Sequence, residues 1–175
     1  MSANLTAMIT FADEVTSIRL SDADSGTGGD DSTFELPCGV ISLGRRHIHA
    51  DPPLPEELTN AIGEMMDHVE DAKREIPRIV DAALVTVDGP IPATIAAVEV
   101  GGPVRGARFL LTRDAAEDVF RTLATESRDD RRHNPGLPAD LVAPIVGGCC
   151  AVIGVIRALQ LDSVEVLLEQ NMSGA

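Results

Sequence analysis

The sequence predicts a mixed α/β domain: a sheet with three leading strands, on which helices pack. Two observations support this prediction: strand-like segments come first, and short apolar strands then alternate with helical segments. Leading strands joined by short turns indicate an antiparallel side of the sheet, and the alternation indicates a parallel side. The predicted order is βββ-α-β-α-(β)α-α-β, without an internal repeat.

Length, composition and charge describe one folded, acidic domain. The chain has 175 residues, predicted as a single domain over 1–175, with a core that is nearly all aliphatic because there is no Trp or Tyr. The net charge of −14 disfavours binding to nucleic acid or to anionic membranes. No basic, apolar leader opens the sequence, and the longest apolar stretch is interrupted by Pro144 and Arg157, so we expect a cytoplasmic protein.

The first segments predict a β-hairpin and a third strand. Residues 7–12 and 15–21 read as the hairpin, with Asp13 and Glu14 in a turn where glycine or asparagine is usual. Residues 22–33 predict a flexible hairpin loop. This glycine-rich loop leads into another strand and not a helix, so a phosphate cradle is disfavoured. The segment FELPCGVISL is predicted as the third strand.

The middle of the chain predicts a helix, a strand and a second helix. Pro55 can open a helix, and apolar residues then follow the helical period through Ile76. Residues 82–87, AALVTV, predict a buried parallel strand. A turn and a short helix, DGPIPATIAAVEVG, follow.

The last third predicts a strand-helix unit, a polar link, a buried helix and a closing strand. Thr112 or Asp114 is the expected N-cap of the first helix. SRDDRRHNPGLP reads as an internally neutralised link. The segment around Cys149 and Cys150 reads as the most hydrophobic helix, SVEVLL as the last strand, and QNMSGA as a tail.

The three cysteines predict neither a disulfide nor a metal site. Cys38, Cys149 and Cys150 stand among apolar residues, so we expect small core side chains with inert thiols.

One basic cluster is a candidate binding surface. Arg45, Arg46, His47 and His49 are possible anion or partner contacts, and the alternative interpretation is a strand end with alternating solvated residues. His47 and His49 would then share a face, but no third ligand is in view, so no metal site is predicted.

Two segments of the chain resemble the Ppx/GppA phosphatase family, the exopolyphosphatases and guanosine pentaphosphate phosphohydrolases. The first is LPCGVISLGRRHIHADPPLPEEL and the second is HNPGLPADLVAPIVGGCCAVIGVI. The matching residues are Leu36, Pro37, Gly39, Leu43, Pro52, Pro53, Glu56, Glu57, Leu58, Asn134, Pro135, Gly136, Leu137, Asp140, Ile145 and Gly147.

The resemblance implies a ribonuclease-H-like fold of the actin-like ATPase superfamily. It also implies a Mg²⁺-dependent family that removes a terminal phosphate in a cleft between two such domains. This chain resembles the second domain only; the first would carry the catalytic carboxylate.

The family's phosphate loops are replaced at the matching positions. Its D-x-G-G-G-S-T hairpin falls on residues 10–16, where only Thr16 is retained, and Thr10, Asp13 and Glu14 stand at the aspartate and at two glycines. Its second glycine-rich loop falls on VDGPIPAT; Asp88, Gly89 and Thr94 are the remaining positions of interest, and two prolines lack N–H groups. The family's arginine-bearing run near the C-terminus is replaced by EQNMSG.

These replacements predict a catalytically inactive, Ppx/GppA-like binding or regulatory protein. It would have no catalytic residue, no resident metal and no cofactor, and it would act as a homodimer or through a protein partner. Two alternatives stay open: a non-hydrolysing sensor of a phosphorylated ligand such as polyphosphate or guanosine pentaphosphate, and half of a split phosphatase. Mg²⁺ is expected only if the phosphatase alternative holds.

Overall fold

A computed structural model describes residues 4–22 and 31–169. They form a six-stranded sheet in the order β3-β2-β1-β4-β6-β5. The strands are β1 (Leu5–Phe11), β2 (Thr16–Asp22), β3 (Ser32–Leu36), β4 (Leu84–Asp88), β5 (Arg108–Thr112) and β6 (Ser163–Leu167). β1, β4 and β6 are parallel, and the other three strands pair antiparallel with a neighbour. The predicted mixed sheet with three leading strands is confirmed.

The helices form one layer around a buried central helix. They are α1 (Val40–His47), α2 (Pro55–Glu75), α3 (Pro90–Val100), α4 (Arg113–Thr125), α5 (Arg128–Arg131) and α6 (Ile145–Ala158). α6 contacts α1, α2, α3 and α4, and every one of its residues except Arg157 is buried. The prediction of a buried helix is therefore confirmed. No helix in the described ranges has the length and apolar character needed to cross a membrane.

The two faces of the sheet differ in burial. Along β1 every second side chain is buried, from Leu5 to Phe11, and these residues belong to the core. On the opposite face a row of paired residues crosses β1, β4, β6 and β5 at Met8, Thr86, Glu165 and Leu110. Leu110 in this row is 64% exposed. The core therefore lies between the sheet and the helical layer, and the other face is partly open to solvent.

Residues 40–49 correct the sequence prediction. FELPCGVISL does not form one strand: β3 ends at Leu36, and α1 begins at Val40. Arg45, Arg46 and His47 occupy the last turn of α1, and His49 follows the helix, so the prediction of a strand end is wrong. Burial of Val40 and Leu43, three positions apart, is the helical spacing, and contact with α6 stabilises a helix too short to form alone.

Helix capping follows the sequence. Thr112 is the N-cap of α4, since its hydroxyl accepts the Ala115 N–H at 3.2 Å. Pro55 opens α2, and the Glu57 carboxylate accepts the Leu54 N–H at 2.9 Å.

All three cysteines are free and buried, as predicted. Burial raises the pKa of the Cys38 thiol to about 11 and that of Cys150 to about 12. Most of the loop predicted over 22–33 lies outside the described residues, as does the tail from 170 onward.

Candidate functional site

The predicted phosphate-loop positions gather at one edge of the sheet, where β1 and β4 end side by side. Thr10 and Asp88 are paired in register across these parallel strands. The hairpin turn with Asp13 and Glu14 follows β1, and Gly89 follows β4. Gly89 has φ 133°, and a Cβ on it would lie 2.6 Å from the carbonyl oxygen of Phe11. The two loops therefore touch, and only glycine fits the contact.

The hairpin turn occupies the amino end of α1 with its own carbonyl groups. The Ala12 N–H donates to the Val15 carbonyl and closes the turn at 3.0 Å. The Ala12 carbonyl accepts from the Val40 N–H, and the Asp13 carbonyl accepts from the Ile41 and Ser42 N–H groups, each at 3.0 Å. First-turn amides of a helix are the groups that bind phosphate in many proteins. Here those amides are already used within the chain.

Thr16, the one hairpin residue predicted to match the family's loop, is part of the core. It is 0% exposed, and its hydroxyl donates to the Cys38 carbonyl at 2.8 Å. This bond ties the connection between β3 and α1 to β2. The Thr16 hydroxyl is therefore buried and already bonded within the fold.

The second loop offers few donors. Pro90 and Pro92 lie in the first turn of α3, so Ile91 is the only one of the first three residues with an N–H group. Thr94 lies on the next turn and is 5% exposed.

Beside this loop is an acidic cleft of about 320 Å³. Asp88, Asp140 and Glu169 line it, together with Thr94 and apolar residues, and none of the lining residues in the described ranges is basic. Such a cleft repels a polyanion. Among residues 4–22 and 31–169, no three His, Cys, Asp or Glu side chains are grouped so that they could hold a metal ion.

The predicted basic contacts do not converge on one anion. Arg45 pairs with Glu14 at 2.9 Å, whereas Arg46 and His47 both contact Glu64, at 2.9 and 3.0 Å. Burial favours the neutral acid at Glu64, but the hydrogen bonds from Arg46 and His47 outweigh it and hold its pKa below the usual range. The His49 ring contacts the Arg46 carbonyl at 3.0 Å.

Two arrangements were not foreseen from the sequence. Arg131, in the predicted solvated link, is 2% exposed and donates to the carbonyls of Glu126 and Val142. Burial lowers its pKa. Arg45 and Arg128, 83 positions apart in the sequence, line the same hollow of about 220 Å³ between α1 and α6. Nothing in the local sequence around either arginine indicates these positions.

Comparison with solved structures identifies the fold. An exopolyphosphatase-like protein superposes with a TM-score of 0.84 at 16% identity, over 94% of this chain and 55% of its own. The Aquifex aeolicus PPX-GPPA enzyme gives a TM-score of 0.80 at 16% identity, over 94% of this chain and 54% of its own. An exopolyphosphatase from Cytophaga hutchinsonii gives 0.72 at 12% identity, over 95% and 54%.

No protein-family model matches the sequence, and no curated protein matches it either. At these identities the structural likeness shows the fold alone. The chain spans about half the length of the structures it matches. It therefore has the ribonuclease-H-like, actin-like fold of a single domain of the Ppx/GppA phosphatases.

Proposed function

We propose that this chain is a catalytically inactive Ppx/GppA-like domain that acts by binding, as a homodimer or with a protein partner. The observation that carries the proposal is the hairpin turn. Its carbonyl groups occupy the first-turn amides of α1, and its side chains include two carboxylates where the family has glycines.

The acidic cleft supports the same proposal. A phosphate loop needs exposed N–H groups and a positive potential. The loop after β4 has two prolines in the first turn of α3, and three carboxylates surround the space beside it. A polyphosphate end would meet repulsion at both loops.

The open face of the sheet is the surface we propose for association. Leu84 and Leu110 are exposed on this face, at 37% and 64%. Pairing of this face with the same face of a second copy would bury both leucines. Burial of apolar area is the main favourable term in such an interface.

A split phosphatase is less well supported. A second chain that supplied the catalytic carboxylate would still need phosphate to bind at this edge. Both loops here are changed in ways that weaken that binding.

A non-hydrolysing sensor of a phosphorylated ligand is the second candidate function, and one observation favours it. Arg45 and Arg128 line one hollow away from the acidic cleft. This hollow would allow anion binding without the family's loops.

A phosphate-release assay tests the loss of catalysis. The chain is incubated with polyphosphate or guanosine pentaphosphate and Mg²⁺, and an active exopolyphosphatase serves as the positive control. We expect no release above the level without protein. Sustained release by this chain alone would overturn the proposal.

Sedimentation equilibrium tests the association surface. We expect a dimer for the natural chain and a monomer for Leu110→Arg, because the new charge would be buried without a partner. Leu54→Arg is the matched control, since Leu54 is 48% exposed at the start of α2 and should leave the dimer intact. A monomeric natural chain, or equal effects of the two variants, would contradict the homodimer and direct the search to a separate partner.

A further inference from the structure

The hollow between α1 and α6 lies beside the point where Gly44 of α1 approaches Gly147 of α6. A Cβ on Gly147 would lie 2.5 Å from the Cα of Gly44, so the two helices cross with no side chain between their backbones. Beside this crossing remains a space of about 220 Å³. Its apolar walls are Val40, Ile41, Ile48, Ala143 and Pro144, and its charged groups are Arg45 and Arg128.

The two arginines are available to a ligand in different ways. Arg45 is paired with Glu14, but both side chains are about 60% exposed, at 62% and 59%. Such an exposed pair contributes little and breaks easily. Arg128 forms no ion pair through its side chain with any residue in the described ranges. Its backbone N–H donates to the Asp51 carboxylate at 2.9 Å and fixes the base of its side chain.

Two arginines line this hollow in a chain whose net charge is −14. In the described ranges most arginines are paired with a nearby carboxylate. A guanidinium group binds a tetrahedral oxyanion through two parallel N–H donors, and apolar walls reduce the competition from water.

We propose that this hollow binds the phosphate group of a small ligand between Arg45 and Arg128, and that Glu14 is the internal carboxylate it displaces from Arg45. A doubly charged phosphate matches two cations better than a single carboxylate does. The chemistry is shared by free phosphate and by a phosphomonoester.

Binding at this hollow would act on the hairpin turn. Glu14 lies in the turn whose carbonyls bond to the amino end of α1. Displacement of its carboxylate removes one of the contacts between this turn and α1. The inference specifies a site for the second candidate function, but it does not depend on whether the chain hydrolyses phosphate.

Isothermal titration of the whole chain at low chloride concentration tests the site. Inorganic phosphate and guanosine 5′-monophosphate are the two probes, and acetate is the reference for a single charge. We expect both phosphates to bind more tightly than acetate. Tighter binding of the nucleotide identifies a phosphomonoester as the ligand class, and equal binding identifies free phosphate. No measurable binding of either phosphate would overturn the proposal.

Two variants test the residues. Arg128→Met should weaken phosphate binding roughly tenfold, because a charge-assisted bidentate contact is lost. Glu14→Gln should strengthen it severalfold, because Arg45 then has no internal partner. Unchanged affinity in Glu14→Gln would contradict the displacement.

Matched controls separate this site from general charge effects. Arg74 and Asp71 form an exposed pair at the end of α2 and do not line the hollow. Arg74→Met and Asp71→Asn therefore make the same charge changes elsewhere and should leave the affinity unchanged. If Arg74→Met weakens binding as much as Arg128→Met does, the anion responds only to net charge, and the proposal fails. Phosphate release is measured separately, so the two proposals can fail independently.

Discussion

The central helix α6 and the loop edge of β1 and β4 differ in what determines their residues. In α6, close packing leaves no room for a side chain at two positions: Gly147 lies against Gly44, and Gly148 lies against the Ile91 side chain. At the loop edge, the turn with Asp13 and Glu14 and the loop after Asp88 are largely exposed or partly exposed, and they carry negative charge. The fold requires the first set of contacts, whereas exposed side chains such as Asp13 and Glu14 are not fixed by close packing.

The difference teaches that buried packing and an exposed loop edge constrain their residues separately within one domain. Gly89 belongs to the loop edge, but packing still constrains it, because a Cβ there would lie 2.6 Å from the Phe11 carbonyl oxygen. Its neighbours Asp88 and Pro90 are not glycine. Thr16 is a second residue near this edge with a structural role, since its hydroxyl donates to the Cys38 carbonyl.

The largest effect is expected at the helix crossing. Gly147→Ala places a Cβ 2.5 Å from a backbone atom of α1, so the helices must separate, at a cost of about 3 kcal/mol in the free energy of unfolding. Gly63→Ala is the matched control: it lies within α2 with no atom near its Cβ position, and it should stabilise the protein by about 1 kcal/mol. Urea denaturation measures both, and equal effects would contradict the packing role of Gly147.

A comparable effect is expected at the buried Arg131 in α5. Arg131→Met leaves the carbonyls of Glu126 and Val142 without a donor and should cost about 3 kcal/mol. The control Arg132→Met removes an exposed arginine, paired with Asp129, and should change stability by less than about 0.5 kcal/mol. Thermal denaturation distinguishes them, and a mild effect of Arg131→Met would show that water replaces its bonds.

A smaller effect separates two threonines at the edge. Thr16→Val keeps the shape of the side chain but removes the donor to the Cys38 carbonyl, so we expect a loss of about 1–2 kcal/mol. Thr10→Val, on the partly open face of the sheet, should cost less than about 0.5 kcal/mol. A larger effect at Thr10 than at Thr16 would contradict a stabilising role of the hydrogen bond from the Thr16 hydroxyl to the Cys38 carbonyl.

The smallest effect is a pH dependence in the helical layer. Arg157 hydrogen-bonds to Glu117 at 2.7 and 2.8 Å and holds the pKa of that carboxyl below its usual range. The stabilisation is therefore present above the unfolded pKa of about 4.3 and is lost as the pH falls through the lower folded pKa. Glu117→Gln should cost about 1 kcal/mol at pH 6 and much less at pH 3. Urea denaturation at both pH values measures it, and Glu70→Gln, at an exposed pair with Lys73, is the control.

Most of the fold could be predicted because its elements carry strong local signals. Apolar residues on either side of a turn indicate the first hairpin, Pro55 and a helical period indicate α2, and a long apolar stretch indicates α6. No such signal indicates α1, because Val40 and Ile41 follow an apolar strand directly and a short apolar run has no distinct period. Its helical conformation depends on contact with α6, far away in the sequence.

The site was predictable in part. β1 and β4 are adjacent parallel strands, so the loops that follow them, at Asp13 and Asp88, could be expected at the same edge of the sheet. The burial of Arg131 and the position of Arg45 and Arg128 at one hollow could not be predicted. Both depend on how α5 packs beside α1 and α6, which are far from it in the sequence or carry no local signal of the contact.

The two outer strands of the sheet bear on how copies of this chain associate. β3 and β5 are each five residues long, and each carries a charged side chain, Glu35 in one and Arg108 in the other. Short, charged outer strands resist addition of a further strand, which is the usual route to fibres. The association that we propose would therefore use side chains on the open face of the sheet, and the outer strands would not extend it into a ribbon.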